Sequence, residues 1–338
     1  MYARSLYSKN KLFTILLFTI IIVLLFMVSL LSGNNGIDFS DITRLNSSED
    51  NFSLIFYDIR VPRTFAAFFV GASLGLSGTL MQAVLKNPLA SPFTLGISQA
   101  SAFGASFAII ILQVYSVSSN LSAGFMTAFL AFGVSMFTTL IIISLGKRSN
   151  MTPESLILFG VALGAFFSAL TMFLQYFADD TDAAATLFWT FGDLSKAGLG
   201  IVGVIAIVLL LVSLIYFKFF WKLDALMLGD DHAKTLGIDT KKLTFRVMIL
   251  ASLLSALSVA FFGIIGFVGL IAPHIVRLIV GSSHKYLIPL SILSGGGLLL
   301  FADIVSRTIM LPIVIPVGIF TSLLGAPLFL YFLYKKKR

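Results

Sequence analysis

The chain has 338 residues, of which 58% are hydrophobic and 11% charged, with a mean hydropathy of +1.02. So little polar surface cannot cover a soluble domain, which makes this an integral membrane protein, all-α and multi-pass, read as one transmembrane domain over residues 1–338. The use of Phe 34 times against two Trp is a lipid-facing and packing composition and not that of a nucleic-acid surface, the net charge of +8 reflects Lys/Arg clustered near membrane ends, and zero cysteines exclude disulfides and thiolate metal sites.

Residues 12–31 form an apolar run preceded by Arg4, Lys9 and Lys11. At about 1.5 Å per residue the run can span the hydrocarbon core. It exceeds a signal-peptide core and no small-x-small cleavage site follows, so it is read as a retained first helix whose N-terminus lies in the cytoplasm. The acidic stretch 33–58, with Asp38, Asp41, Glu49, Asp50 and Asp58, then lies outside. It leads into Arg60-Val61-Pro62-Arg63, two cations at an outer mouth, against the positive-inside bias. Either they snorkel to lipid headgroups or they meet an acidic partner, and the residues alone leave both open.

The second run, 64–85, carries Ala67, Gly71, Gly75 and Gly78 with Ser73 and Ser77 between them. Small residues four apart let other helices approach closely, which predicts a core helix packed on several sides. The Gly-Leu-Ser-Gly at 75–78 matches a serine-nucleophile pattern but lacks the strand-turn-helix context of such an elbow. Pro88 and Pro92 break the chain at the inner face, and residues 93–115 return outward. Residues 124–145 come back to Lys147 and Arg148, and Thr152-Pro153-Glu154 reads as a helix start, with a threonine cap and proline in the first turn. Residues 155–177 go outward with Gly160 and Gly164 on one face, and the acidic stretch 178–197 holds Leu187-Phe188-Trp189, a short interfacial helix.

Residues 199–220 cross inward to a water-facing handle, 221–246, with five Lys/Arg and four Asp between two apolar runs. Within it, Gly229 and Gly237 bracket a short helix with Asp230 and Asp231 at its N-terminus, Lys234 toward its end and Gly237 in the left-handed C′ position. So short a helix hardly forms alone. It is either docked in a partner's groove through Ala233, Leu236 and Ile238, or part of a solvated loop. The apolar run 247–280 has cytoplasmic charge at both ends, so it crosses twice, as one full helix and one short protein-shielded helix, with breaks at Gly263, Gly266, Gly269 and Pro273. His274 on the short helix is read as a hydrogen-bonded packing residue. Residues 286–304 go outward to Asp303 and Arg307, Pro312 and Pro316 interrupt the outer loop, and 317–334 return to the basic C-terminus. The total is about ten spans with both termini cytoplasmic, five on either side of the middle, which would invert one half relative to the other.

There is no GxxxxGK[ST] motif, no HExxH and no facing pair of intramembrane carboxylates. A secondary transporter therefore lacks its ion site, and a translocation path without a motor needs one from elsewhere. An intramembrane serine protease could cite only Ser77 and His274.

The stretches RVPRT (60–64), QAVLKNPLASPFTLGIS (82–98), LGDDHAKTLGI (228–238), GFVGLIAPHIVR (266–277), ADIVSR (302–307) and the proline- and glycine-spaced 316–327 together resemble the FecCD-type permeases of bacterial iron-siderophore and vitamin B12 ABC importers. The resemblance covers nearly the whole chain in order. It implies a type II ABC importer permease fold in the bacterial cytoplasmic membrane, a homologous or identical partner permease, two ATP-binding subunits and an extracytoplasmic siderophore-binding protein. No cofactor is expected on the chain itself, ATP being used by the partner ATPase. Residue by residue, it implies ATPase coupling through Leu228, Gly229, Asp230, Ala233, Leu236 and Gly237, an inner gate at Asn87 and Leu89, and binding-protein docking through Arg60, Arg63 and Arg307. Ser283 replaces the acidic residue usual in that family before His284. Ferric siderophore is the expected cargo, with haem and cobalamin as the alternatives.

Overall fold

The computed structural model describes residues 2–32, 55–117 and 120–336. The acidic residues 38, 41, 49 and 50 of the first outer stretch lie outside them. Among the described residues there are helices and no strand. Seven helices are long and apolar enough to cross a membrane, and three shorter apolar ones, Ile97–Ile111, Val268–Val280 and Val317–Tyr331, accompany them. These match the ten expected passes in order.

The first helix, α1 (Tyr2–Leu31), lies on the outside of the bundle with Leu16, Leu24 and Met27 exposed. A π-helical turn, Ile55–Arg60, runs straight into α2 (Val61–Val84), with Pro62 in the first turn of the α-helical part. As the small-residue pattern predicts, α2 is the hub, buried along almost its whole length. The reason is steric. A Cβ on Gly71 would strike the Gly295 carbonyl, one on Gly75 the Ser291 carbonyl, and one on Gly78 the Gly269 carbonyl. Ser77, fully buried, donates its hydroxyl to the Ala251 carbonyl at 2.6 Å. That bond uses Ser77 to tie two helices together, which removes the protease reading.

Leu85 ends α2, and the turn through Pro88 and Pro92 leads to α3 (Ile97–Ser106), extended by a π-helical turn, Phe107–Ile111. Gly96, at φ +73°, sits against the backbone of Gly160 and Gly164, so those two glycines form a groove that receives a neighbouring loop. A short α4 (Val114–Val117) and the long α5 (Asn120–Arg148) follow. The next, α6 (Pro153–Tyr176), begins as expected, with Thr152 in an extended conformation accepting from the Ser155 N–H. The interfacial helix is α7 (Asp180–Thr190).

The handle is smaller than its charge pattern suggests, because helix continues past the apolar run on both sides. The inward helix α8 (Leu199–Met227) leaves helical geometry only at Phe219, near where the apolar run ends, and then resumes. The short α9 (Asp230–Thr235) follows, and α10 (Thr240–Phe262) starts before its apolar run, with Asp239 accepting from the Lys242 N–H at 3.0 Å. The irregular part is therefore confined to the ends of α9.

The two helices expected over 247–280 are also present. The break between them runs from Gly263, at φ +74°, to Phe267, at φ +63°, after which α11 (Val268–Val280) begins. Gly269 and Pro273 do not break the chain as expected from their residue types; both lie inside α11. Pro273 has no N–H, so the Gly269 carbonyl loses its intrahelical donor and lies against Gly78 of α2. Residues Val268 to Pro273, the opening of α11, are buried on every side, which shields a helix too short to span lipid alone. The last two helices are α12 (His284–Thr308), which packs along α2, and α13 (Val317–Lys336).

Candidate functional site

At the end of the bundle that the charge pattern assigns to the cytoplasm, α9 lies between α8 and α10. Gly229 has φ +125° and Gly237 φ +75°, backbone that L side chains rarely adopt, and a Cβ on either would meet nothing within 4 Å. Glycine is thus required there for conformation and not for space. Gly237 occupies the predicted left-handed position after the C-cap Leu236. Asp230 and Asp231 fill the first turn, and Lys234 pairs with Asp231 at 3.1 Å. Asp239, which opens α10, takes the Lys242 N–H and lies 3.2 Å from the Lys242 ammonium, and these bonds hold its carboxyl below the usual range.

The expected apolar contacts of this helix divide. Ala233 and Ile238 are buried in the chain's own core, in one cluster with Val84, Leu85, Leu226 and Leu243, because this is what anchors a two-turn helix. They are not available to a partner. The exposed apolar residues are Leu236, at 53%, and Leu228, at 72%, one at each end of α9.

The inner turn is held locally. Asn87 Oδ1 accepts from the Leu89 N–H at 2.9 Å, and the Asn87 carbonyl accepts from the Ala90 N–H at 3.1 Å. Lys86, immediately before it, reaches across to Asp230 at 3.0 Å. A cleft of about 690 Å³ opens beside this pair, lined by Lys86, Asn87, Asn150, Glu154, Asp230 and Lys241 among others.

A second cytoplasmic contact involves the departure at Ser283. Asp224, near the end of α8, accepts from the His284 N–H at 2.8 Å, lies 2.6 Å from His284 Nδ1 and accepts from the Ser283 hydroxyl at 3.3 Å. Asp224 thereby supplies from another helix the carboxylate that position 283 lacks, capping α12. Nothing in the local pattern pairs residues sixty apart, and the sequence reading missed it.

At the outer end, the three arginines are not the exposed rim cations that their loop position suggests. Each is 6% exposed. Arg63 Nε lies 2.9 Å from Asp303 Oδ1, and Arg307 Nε lies 3.0 Å from Asp303 Oδ2, with Asp303 fully buried. Arg307 also donates to the Ser29 hydroxyl at 2.8 Å and to the Ser32 carbonyl at 3.2 Å, while Arg60 donates to the Leu30 carbonyl at 3.3 Å. The cluster therefore fastens the outer ends of α1, α2 and α12. Arg63 and Arg307 share the one carboxylate and Arg60 bonds to the carbonyls ending α1, so the cluster, with three guanidinium groups to one carboxylate, stays net positive. Asp303, read from sequence only as a marker of the outer end, is its centre; its i,i+4 spacing to Arg307 was the available signal.

A bundle of long apolar helices around a close-packed hub helix is the architecture of a multi-pass membrane protein. Comparison agrees at the level of family. The chain belongs to the FecCD transport family, whose profile matches residues 21–335. It is 44% identical to an ABC transporter permease protein, MJ0087, of Methanocaldococcus jannaschii, over 98% of this chain and 97% of that one. It is 37% identical to the vitamin B12 import system permease protein BtuC of Vibrio cholerae over 82% of each. To the Fe(3+)-citrate import system permease protein YfmE of Bacillus subtilis it is 36% identical over 96% of each. A solved structure, the inward-facing conformation of a metal-chelate type ABC transporter, superposes with a TM-score of 0.81 at 31% identity, covering 95% of this chain and 99% of that one. The fold is that of a type II ABC importer permease.

Proposed function

We propose that this chain is the membrane subunit of an ATP-driven importer that takes a ferric siderophore from an extracytoplasmic binding protein and passes it across the cytoplasmic membrane. The observation that carries the reading is α9. It is a capped helix held at its middle by buried Ala233, hinged on two positive-φ glycines and bearing exposed Leu228 and Leu236. Such a helix suits insertion into a groove on a partner, and ATP hydrolysis in that partner is consistent with a chain that has no phosphate-binding loop of its own. A second permease, identical or a sister, would complete the path, with Asn87 and Leu89 at its inner end. An even number of passes with basic residues at both ends supports cytoplasmic termini.

Outside, the net-positive Arg60, Arg63, Arg307 cluster would attract an acidic face of the binding protein. Its burial makes it a source of field more than of direct contacts. An iron chelate as cargo is supported by the similarity to YfmE, named for Fe(3+)-citrate import. Cobalamin is the second reading, supported by the comparable similarity to BtuC. Proteoliposomes holding the permease, its ATPase subunits and its binding protein distinguish them through ATP-dependent uptake of radiolabelled ferric siderophore against radiolabelled cobalamin. Uptake of cobalamin alone would overturn the cargo, and uptake of neither, nor of radiolabelled haem, with ATP supplied would overturn the importer reading.

A further inference from the structure

The Lys86–Asp230 ion pair joins two places that the sequence presents as separate, the turn at the inner end of α2 and the first residue of α9. Lys86 has φ +46°, a left-handed conformation that disfavours any residue with a Cβ and that glycine or asparagine would adopt more readily. The ammonium of the lysine held there lies 3.0 Å from Asp230 Oδ2. Asn150 and Met151, at φ +58° and +57°, line the other side of the same cleft, so unfavourable backbone is concentrated around this space.

The mechanical arrangement follows from the two sides of the pair. The turn beyond Lys86 is a hydrogen-bonded unit, Asn87 bonding to Leu89 through its side chain and to Ala90 through its carbonyl, so it moves as one piece. On the other side, α9 is six residues long, with a glycine hinge at each end and Ala233 as a buried pivot. Tilting α9 about that pivot displaces Asp230 at its end. The cleft of about 690 Å³ leaves the turn room to follow.

We propose that Lys86 is a positioning residue that transmits displacement of α9 to the inner turn carrying Asn87 and Leu89, through its ion pair with Asp230. This rests on the reading of α9 as the helix that docks on the ATPase. The pair is partly exposed, with side chains 29% and 47% accessible, so it contributes little to the stability of the fold. Lys86→Gln removes the pair from the side of the turn and leaves every residue of α9 in place, so insertion and ATPase recovery are expected to persist while the response of the turn is lost.

The chain has no cysteine, so Leu89→Cys gives a unique reporter on the turn. In nanodisc complexes with the ATPase subunits, the labelling rate of that cysteine by a maleimide is compared between the nucleotide-free and ATP–vanadate states. The expected result is a nucleotide-dependent rate in the otherwise unaltered chain, lost in Lys86→Gln with the ATPase still co-purifying, and retained in Lys86→Arg. A nucleotide-dependent rate that survives Lys86→Gln, one that Lys86→Arg abolishes as fully as Lys86→Gln, or no nucleotide dependence in the first chain overturns the proposal. If the ATPase fails to co-purify with the unaltered permease, the docking reading of α9 falls, and the link falls with it.

Discussion

Replacing Asp303 with asparagine tests the outer cluster most directly. The carboxylate is fully buried and bridges Arg63 at 2.9 Å and Arg307 at 3.0 Å, whose side chains are each 7% exposed. If these were exposed rim pairs, each would be worth about 0.2–1 kcal/mol and the substitution would be mild. Burial reverses that expectation, because Asp303→Asn keeps the shape while leaving two guanidinium groups without their counter-charge. Breaking a buried pair in this way costs about 3–5 kcal/mol. The assay is reversible unfolding in mixed micelles by added sodium dodecyl sulfate, followed by the fluorescence of Trp189 and Trp221. A companion variant, Asp303→Leu with Arg63→Leu and Arg307→Met, removes every charge of the triad and should recover most of the loss, since well-packed apolar replacements of buried ion groups are often neutral. A loss below about 1 kcal/mol for Asp303→Asn would place the pair in the exposed class and refute the reasoning.

Four further outcomes are expected. Single cysteines at Ser195 and Thr240 should label from outside and only from inside, respectively, and external labelling at Thr240 would invert the topology. Gly237→Pro removes both the left-handed φ of +75° and the N–H bonded to the Lys234 carbonyl at 2.9 Å, so the protein should insert but recover little ATPase on co-purification; normal recovery would sink the coupling role of α9. Gly78→Val forces a side chain into the Gly269 carbonyl, where the neighbour is backbone and cannot yield, so a loss at or above the usual overpacking cost of about 1–3 kcal/mol is expected in the same micelle assay, and an unchanged midpoint would contradict the close approach. Arg60→Gln keeps donors for the Leu30 carbonyl but removes a charge, so it should slow association of the binding protein and flatten its salt dependence in surface plasmon resonance; unchanged kinetics would leave Arg60 a structural tie between α1 and α2.

Much was determined by the sequence itself, through rules that act within a few residues or over one lipid thickness. The apolar runs and flanking charges set the passes, since hydrocarbon tolerates neither unpaired backbone nor stranded cations. Thr152 and Pro153 marked the start of α6, and Gly237 marked the end of α9, because capping is a local matter of φ, ψ and one hydrogen bond. The spacing of Gly71, Gly75 and Gly78 announced a hub helix without saying what would lie against it.

What only the tertiary structure decided is which distant residues meet. Ala233 and Ile238 look like partner contacts on a short amphipathic segment, yet the bundle takes them for its own core and leaves Leu228 and Leu236 outside. Arg60, Arg63 and Arg307 look solvent-facing from their loops, yet Asp303 and the carbonyls ending α1 enclose them. The pairs Asp224–His284 and Lys86–Asp230 join chain positions 60 and 144 residues apart. Charge and period describe one helix at a time, whereas burial and ion pairing depend on how helices cross, and that geometry is set by close packing of the whole bundle.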